Sequence, residues 1–227
     1  MSSDLSQLKF GPPVAYVYNP LDYAWNGFSA YLSVYGSSKR EVLLLGMNPG
    51  PWGMAQTGIP FGEVNLARDW LGIQAEIRRP ERLHPKRPVL GFACTRSEAS
   101  GKRLWGWAKD TFGAADKFFA RFMVLNYCPL MFLDKDGKNL TPDKLPRKQQ
   151  DALTEICDCA LMCFAEYYKP RHVIGLGKFA QRRAAAALAQ MDIEVGFIPH
   201  PSPANPAANK GWGKLADASL KASGVEI

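Results

Sequence analysis

Four side chains stand where this chain could do chemistry: Asn48, Phe61, Asn126 and His200. Asn48 sits between Met47 and Pro49, just after the apolar run EVLLLGM and inside GMNPGPWGMAQTGIPFG, Gly46 to Gly62. A neutral amide offers one acceptor and one donor group and is a poor base, so it can orient a water without deprotonating it. Asn-Pro is equally a common turn dipeptide. Phe61 lies between Pro60 and Gly62. Its ring suits either the core or a stacking platform for a flat heterocycle, worth about 1–3 kcal/mol per base. Asn126 ends the run FMVLN, where its donor–acceptor pair fits the polar edge of a pyrimidine or simply caps a strand. His200 leaves IEVGFIP and opens HPSPANPAANKGW, a position compatible with a ligand role or a structural one. Ser202 and the amides of the following turn suit a phosphate, and Lys210 adds a cation nearby.

Other chemistries lack their residues. GLGKFA has neither the P-loop nor the dinucleotide-binding spacing. Gly175 and Gly177 therefore read as a tight strand-to-helix turn whose amides could still touch a phosphate. The candidate pocket residues include no carboxylate pair, no neighbouring Cys–His dyad and no metal set, and His84 and His172 read as structural. Cys157, Cys159 and Cys163 fall in a helical pattern that points Cys157 away from the other two, which favours packing over an iron–sulfur cluster.

The elements that must position these residues alternate in type. Residues 1–22 read as a loosely ordered entry segment and 23–227 as one domain. A helix over YAWNGFSAYLSVYG ends at Gly36, REVLLLGM is a buried strand, and EVNLARDWLGIQ is a helix closing near Gly72. Arg78 to Arg103 reads as an ordered basic excursion with a short strand at VLGFAC. LWGWAKDTFG is a short helix, FMVLN a strand, and RKQQDALTEICDCALMCFAEYY a long helix stopped by Pro170. RHVIGLG, KFAQRRAAAALAQ and IEVGFIP then read as strand, helix and strand, and a last helix runs to about Ser223. Such alternation predicts an α/β layered domain with a largely parallel sheet. The loops 46–62, 126–130 and 200–212 all follow strands, so they are expected to converge at the carboxyl edge, where open sheets bind ligands.

The bulk properties agree. The chain has 227 residues, 47% hydrophobic and 22% charged, with a formal charge of +7, which suits an acidic partner such as nucleic acid or an anionic membrane. No run of 18 apolar residues is present, which excludes a spanning helix, and MSSDLSQLKFGPP lacks the features of a signal peptide. Five Cys without such a signal suggest reduced thiols in the cytosol or nucleoid.

GMNPGPWGMAQTGIPFG and HPSPANPAANKGW, with NYCPL between them, resemble the active-site motifs of the single-strand-selective monofunctional uracil-DNA glycosylases, within the uracil-DNA glycosylase superfamily. The resemblance runs from about Tyr23 onward. It implies a three-layer α/β/α sandwich and removal of uracil, and of related bases chiefly 5-hydroxymethyluracil, by base flipping. It implies no metal or organic cofactor. The expected partner is uracil-containing DNA, single- or double-stranded, bound by a monomer with no membrane. The expected location is the cytoplasm or nucleoid of a bacterium or the nucleus of a eukaryote. By position, Asn48 would orient the hydrolytic water and His200 would stabilise charge on uracil O2. Asn126 would read the Watson–Crick edge, Phe61 would stack, and Met47, Gly50 and Met54 would shape the base pocket. Ser202, Pro203, Ala204, Asn205, Asn209 and Lys210 would face DNA as a wedge loop, supported by Gly177, Lys178 and Lys102.

One residue departs from the family pattern. Arg is typical of the family at the position of Ala204, and alanine cannot fill the gap left by a flipped base. Weaker duplex opening, or a neighbouring residue doing this work, is expected. A non-catalytic reader of damaged DNA and an enzyme acting on free nucleosides are the competing readings.

Overall fold

VLLLG, residues 42–46, is buried along its whole length. An unbroken apolar run of this kind is what a parallel strand covered on both faces requires. The computed structural model describes residues 1–227. In chain order the elements are α1 (Ser2–Gln7), β1 (Tyr16–Tyr18), α2 (Pro20–Tyr23), α3 (Trp25–Tyr35), β2 (Val42–Gly46), α4 (Met54–Thr57), α5 (Val64–Asp69), α6 (Ala99–Phe112), α7 (Ala115–Phe119), β3 (Phe122–Asn126), β4 (Met131–Leu133), β5 (Asn139–Leu140), α8 (Arg147–Tyr168), β6 (His172–Leu176), α9 (Lys178–Ala187), β7 (Glu194–Ile198) and α10 (Trp212–Ala222).

Four strands form a parallel sheet in the order β3-β2-β6-β7. Gly46 pairs with Asn126, and Leu176 with Ile198, so the strands end together at one edge. Helices flank this sheet in an α/β/α sandwich. On one side α9 packs against β6 and α8 against α9. Elsewhere Trp105, Trp107, Phe112, Phe118 and Phe122 interlock in edge-to-face and stacked pairs. The outer edge of β3 is closed by the Tyr31 hydroxyl, which donates to Val124 O at 3.0 Å and accepts from Val124 N at 3.3 Å. That bonding leaves less of the edge open to another strand. Cys157 is buried while Cys159 and Cys163 are exposed, as the helical spacing predicts.

Two expectations are corrected. Residues 1–22 are not a loose entry segment. Leu5 of α1 is only 2% exposed, and β1 pairs antiparallel with β4, which continues to β5 in a second small sheet. A six-residue helix and a three-residue strand are too short to produce a periodic signal. VLGFAC is not a strand either. Gly91 takes φ +62°, and Gly91–Ala93 form a 3₁₀ turn.

Candidate active site

The first loop leaves β2 at Gly46 and is stitched to the exit of β3. Tyr127 N donates to Gly46 O and Cys128 N to Met47 O, each at 2.9 Å. Asn48 then points its amide nitrogen at Leu130 O, 3.3 Å away. That contact directs the nitrogen inward and leaves the amide oxygen as the group able to accept from a water. Asn139 fixes the next turn by donating to Pro49 O at 3.2 Å.

Phe61 takes φ +54°, a left-handed conformation that bulky residues rarely adopt. Its carbonyl holds it there, accepting from Trp105 Nε1 at 3.0 Å and from Glu63 N at 2.7 Å. A strained backbone fixed from several sides is a feature of functional sites. The result presents the Phe61 ring beside Asn126, where β2 and β3 end together. Gly46 permits this approach, because a Cβ there would collide with both the ring and Asn126 Oδ1.

Asn126 donates through Nδ2 to Met54 Sδ at 3.2 Å, and its Oδ1 is buried without a partner. An orphan acceptor in a dry place costs about 1–3 kcal/mol, which a ligand N–H would relieve.

His200 lies 6.4 Å from the Phe61 ring, centroid to centroid. Ser202 N donates to His200 Nδ1 at 3.0 Å, so the ring proton of the neutral form sits on Nε2. Burial lowers its pKa to about 4, which keeps it neutral at pH 7. Gly177, at φ +100°, leaves the room this ring needs: a Cβ there would lie 3.3 Å from His200 Cβ and Cδ2. The Gly177 N–H is already bonded to Ile198 O at 2.9 Å, so it is not free for a phosphate.

Met47, Asn48, Gly50, Phe61, Asn126 and His200 line one cavity of about 440 Å³ at the carboxyl edge of the sheet. Ser202, Ala204 and Asn205 form its outer rim. Met54 stands one layer behind this lining: it is 2% exposed at the start of α4, and its sulfur accepts from the Asn126 amide at 3.2 Å. His84 and His172 are buried and do not line it either.

The sequence reading missed Glu98, which also lines this cavity. Its Oε2 is shut off from solvent and has no hydrogen-bond partner. Desolvation raises its pKa to about 7, opposed by the Gly101 N–H and reinforced by the charge of Glu63. Arg103 was missed as well. It donates to Pro201 O and to Asn209 Oδ1, both at 2.8 Å, and so clamps the His200 loop to α6. Neither residue belongs to a recognisable motif, and only the fold brings them to the site.

The sequence profile of the Uracil DNA glycosylase superfamily matches residues 33–219. The single-strand selective monofunctional uracil-DNA glycosylase of Rattus norvegicus is 48% identical over 227 residues, covering 99% of this chain and 82% of the rat protein. This chain belongs to that glycosylase family. The Bos taurus enzyme of the same name is 45% identical, over 99% of this chain and 84% of its own length. The crystal structure of wild-type Pedobacter heparinus SMUG2 shares the fold, with a TM-score of 0.70 at 18% identity, covering 97% of this chain and 95% of that one.

In this glycosylase the rim residues divide into two groups. Asn205 and Asn209 hold the loop together, donating to His200 O at 3.0 Å and to Pro203 O at 3.1 Å. Pro203 and Ala204 are exposed at its tip. Lys102, Lys178 and Lys210 are exposed and in no ion pair, which leaves them available to phosphates. At the edge of the first loop the Arg96 guanidinium stacks on Trp52 at 4.3 Å.

Proposed function

We propose that this chain is a monofunctional uracil-DNA glycosylase that hydrolyses the N-glycosidic bond of a base flipped out of DNA. One observation carries the reading. Asn48, Phe61, Asn126 and His200, drawn from three separate loops, meet around a single cavity large enough to admit a base. All four come from one chain, which supports a monomer acting on DNA.

The chemistry follows from the side chains. Phe61 supplies a stacking face. The orphan Asn126 Oδ1 accepts from uracil N3–H while Nδ2 turns to O4. The bond from C1′ to N1 breaks with its electron pair leaving on the base, so the transition state carries positive charge on the sugar and negative charge on uracil. His200 Nε2–H meets the charge growing on O2. A neutral donor fixed beforehand needs no rearrangement as the charge develops. Asn48 Oδ1 holds the water whose oxygen bonds C1′, and the proton of that water passes to solvent. The departing base does most of the bond breaking, so the carboxylate pair of ordinary glycosidases is dispensable. Flipping costs a few kcal/mol, which stacking and edge hydrogen bonds offset.

The test is single-turnover release of free uracil from a labelled oligonucleotide. Wild-type protein should release it, and Asn48→Ala and His200→Ala should bind the same DNA with little release. Binding without release by the wild type would make the protein a reader of damage. Cleavage of free deoxyuridine, insensitive to salt, would make it a nucleoside enzyme.

A further inference from the structure

One hairpin, β4–β5, grips Asn48 and Pro49 at two points. Its first strand is entered through Leu130, whose carbonyl accepts from Asn48 Nδ2 at 3.3 Å. Its second strand carries Asn139, whose Nδ2 donates to Pro49 O at 3.2 Å. The first bond orients the Asn48 amide, and the second fixes the residue that follows it. Asn139 lines the same cavity as Asn48, yet no step of the hydrolysis uses it directly.

The hairpin is itself braced. Along its first strand β4 pairs with β1, Tyr16 opposite Leu133 and Tyr18 opposite Met131. At its turn Arg87 Nε donates to Gly137 O at 2.8 Å. Lys86 N donates to His84 Nδ1 at 3.1 Å, which leaves Nε2 to carry the ring proton and donate to Lys135 O, also at 3.1 Å. Gly137, at φ +80°, leaves the space this imidazole needs, since a Cβ there would lie 2.7 Å from His84 Cε1. The buried His84 and the basic excursion around it therefore hold the hairpin that holds Asn48.

The Asn139 amide adds little to the stability of the fold. Pro49 O can only accept, so the side chain must turn its nitrogen there. Its Oδ1 is then shut off from solvent and has no hydrogen-bond partner. One bond made and one buried acceptor left empty largely cancel. What the side chain contributes is position. We propose that Asn139 is a positioning residue for hydrolysis: through Pro49 O it fixes the turn that aims Asn48 Oδ1 at the water. The proposal rests on the reading of the cavity as a uracil pocket in which Asn48 holds that water. Without this grip the Asn48 turn loosens and the water is misplaced at C1′, and catalysis is sensitive to small displacements of this kind. Phe61 and Asn126 stay in place, so the base is still bound.

The experiment is a double-mutant cycle on single-turnover release of uracil from one single-stranded oligonucleotide at saturating protein. DNA affinity and the thermal midpoint are measured alongside. Asn139→Ala should slow release about tenfold, as loss of one hydrogen bond would, with affinity and midpoint close to wild type. In an Asn48→Ala background the same substitution should slow the residual release by less than about twofold, because the group it positions is gone. Asn139→Ser, too short to reach Pro49 O, repeats the cycle and decides it if Asn139→Ala does not fold. A merely structural role would lower the midpoint and slow both backgrounds by the same factor. Equal factors, a wild-type rate in Asn139→Ala, or failure of both variants to fold would each overturn the proposal. Absence of uracil release by the wild type would instead overturn the glycosylase reading beneath it.

Discussion

The two loops that deliver Asn48 and His200 to the cavity are built differently. The Asn48 loop is locked into the body of the protein. Gly53 to Val64 is buried without a break, and Phe61 is held in a left-handed conformation by bonds to its carbonyl. The His200 loop is anchored at its base and open at its tip. Trp212 Nε1 holds Pro199 O at 2.7 Å and Arg103 holds Pro201 O at 2.8 Å, whereas Pro203, Ala204, Pro206 and Ala207 are exposed. In the proposed function the first loop would grip a small flat base whose shape never changes, so rigidity would lower the cost of binding. The second would meet a duplex or a single strand, and only its histidine would need a fixed position.

The largest effect should come from removing the catalytic groups themselves. His200→Ala deletes a preorganised donor and should lower single-turnover release about 10²–10³-fold, with DNA binding in a mobility-shift assay nearly unchanged. The pH profile sharpens the assignment. Because burial lowers the His200 pKa to about 4, the Nε2–H donor stays neutral throughout pH 5–8, and release should not fall through protonation of this residue above pH 5. A drop in activity near pH 6.5 that disappears in His200→Gln would contradict a neutral histidine.

Stability should expose the cost of burying Glu98. The folded pKa of Glu98 is raised from 4.5 to about 7, so between these values the folded state binds more protons than the unfolded state. Stability is therefore fully present below pH 4.5 and declines as the pH rises through 7, by on the order of 3 kcal/mol in all. Denaturant melts of the wild type and Glu98→Gln at pH 5 and pH 8 measure it. The variant should lack that decline, and parallel curves would show that Glu98 keeps an ordinary pKa.

What could be read from the sequence follows the same division. The strands β2, β3, β6 and β7 announce themselves as apolar runs, and each special loop follows one of them. The rule that parallel strands end at one edge therefore brings Asn48, Asn126 and His200 to one cavity, as the structure has them. Glu98 and Arg103 belong to a basic excursion with no periodicity, and their roles arise only when α6 packs its N-terminus against both loops. Gly50 and Gly53 carried a faint signal of Glu98, since two glycines so close together imply that something else fills their space.

A smaller effect should come from loosening the second loop at its base. Arg103→Ala removes two hydrogen bonds from a guanidinium to the loop that carries His200. Release should slow about tenfold while the thermal midpoint moves little, since bonds to charged groups are worth about 1.5–3 kcal/mol and this one is half-exposed. Phe61→Ala would slow release too, but with a loss of stability that Arg103→Ala should not show.

The smallest effect, and the one most specific to this chain, lies at the tip. Ala204 is exposed on the rim of the cavity and has no side chain able to replace a departed base. On a single strand there is no opposing base and no gap in a stack to fill, so the alanine should cost nothing. On a duplex the open gap favours return of the base. Ala204→Arg should therefore raise release from duplex DNA severalfold, a change of about 1 kcal/mol, and leave single-strand release unchanged. Measuring both substrates with both proteins separates the wedge from the added positive charge, because a charge alone would tighten binding to either form and steepen the salt dependence of both. Equal gains on single and double strands would mean that the tip acts only as a cation, and that another residue on the rim holds the duplex open.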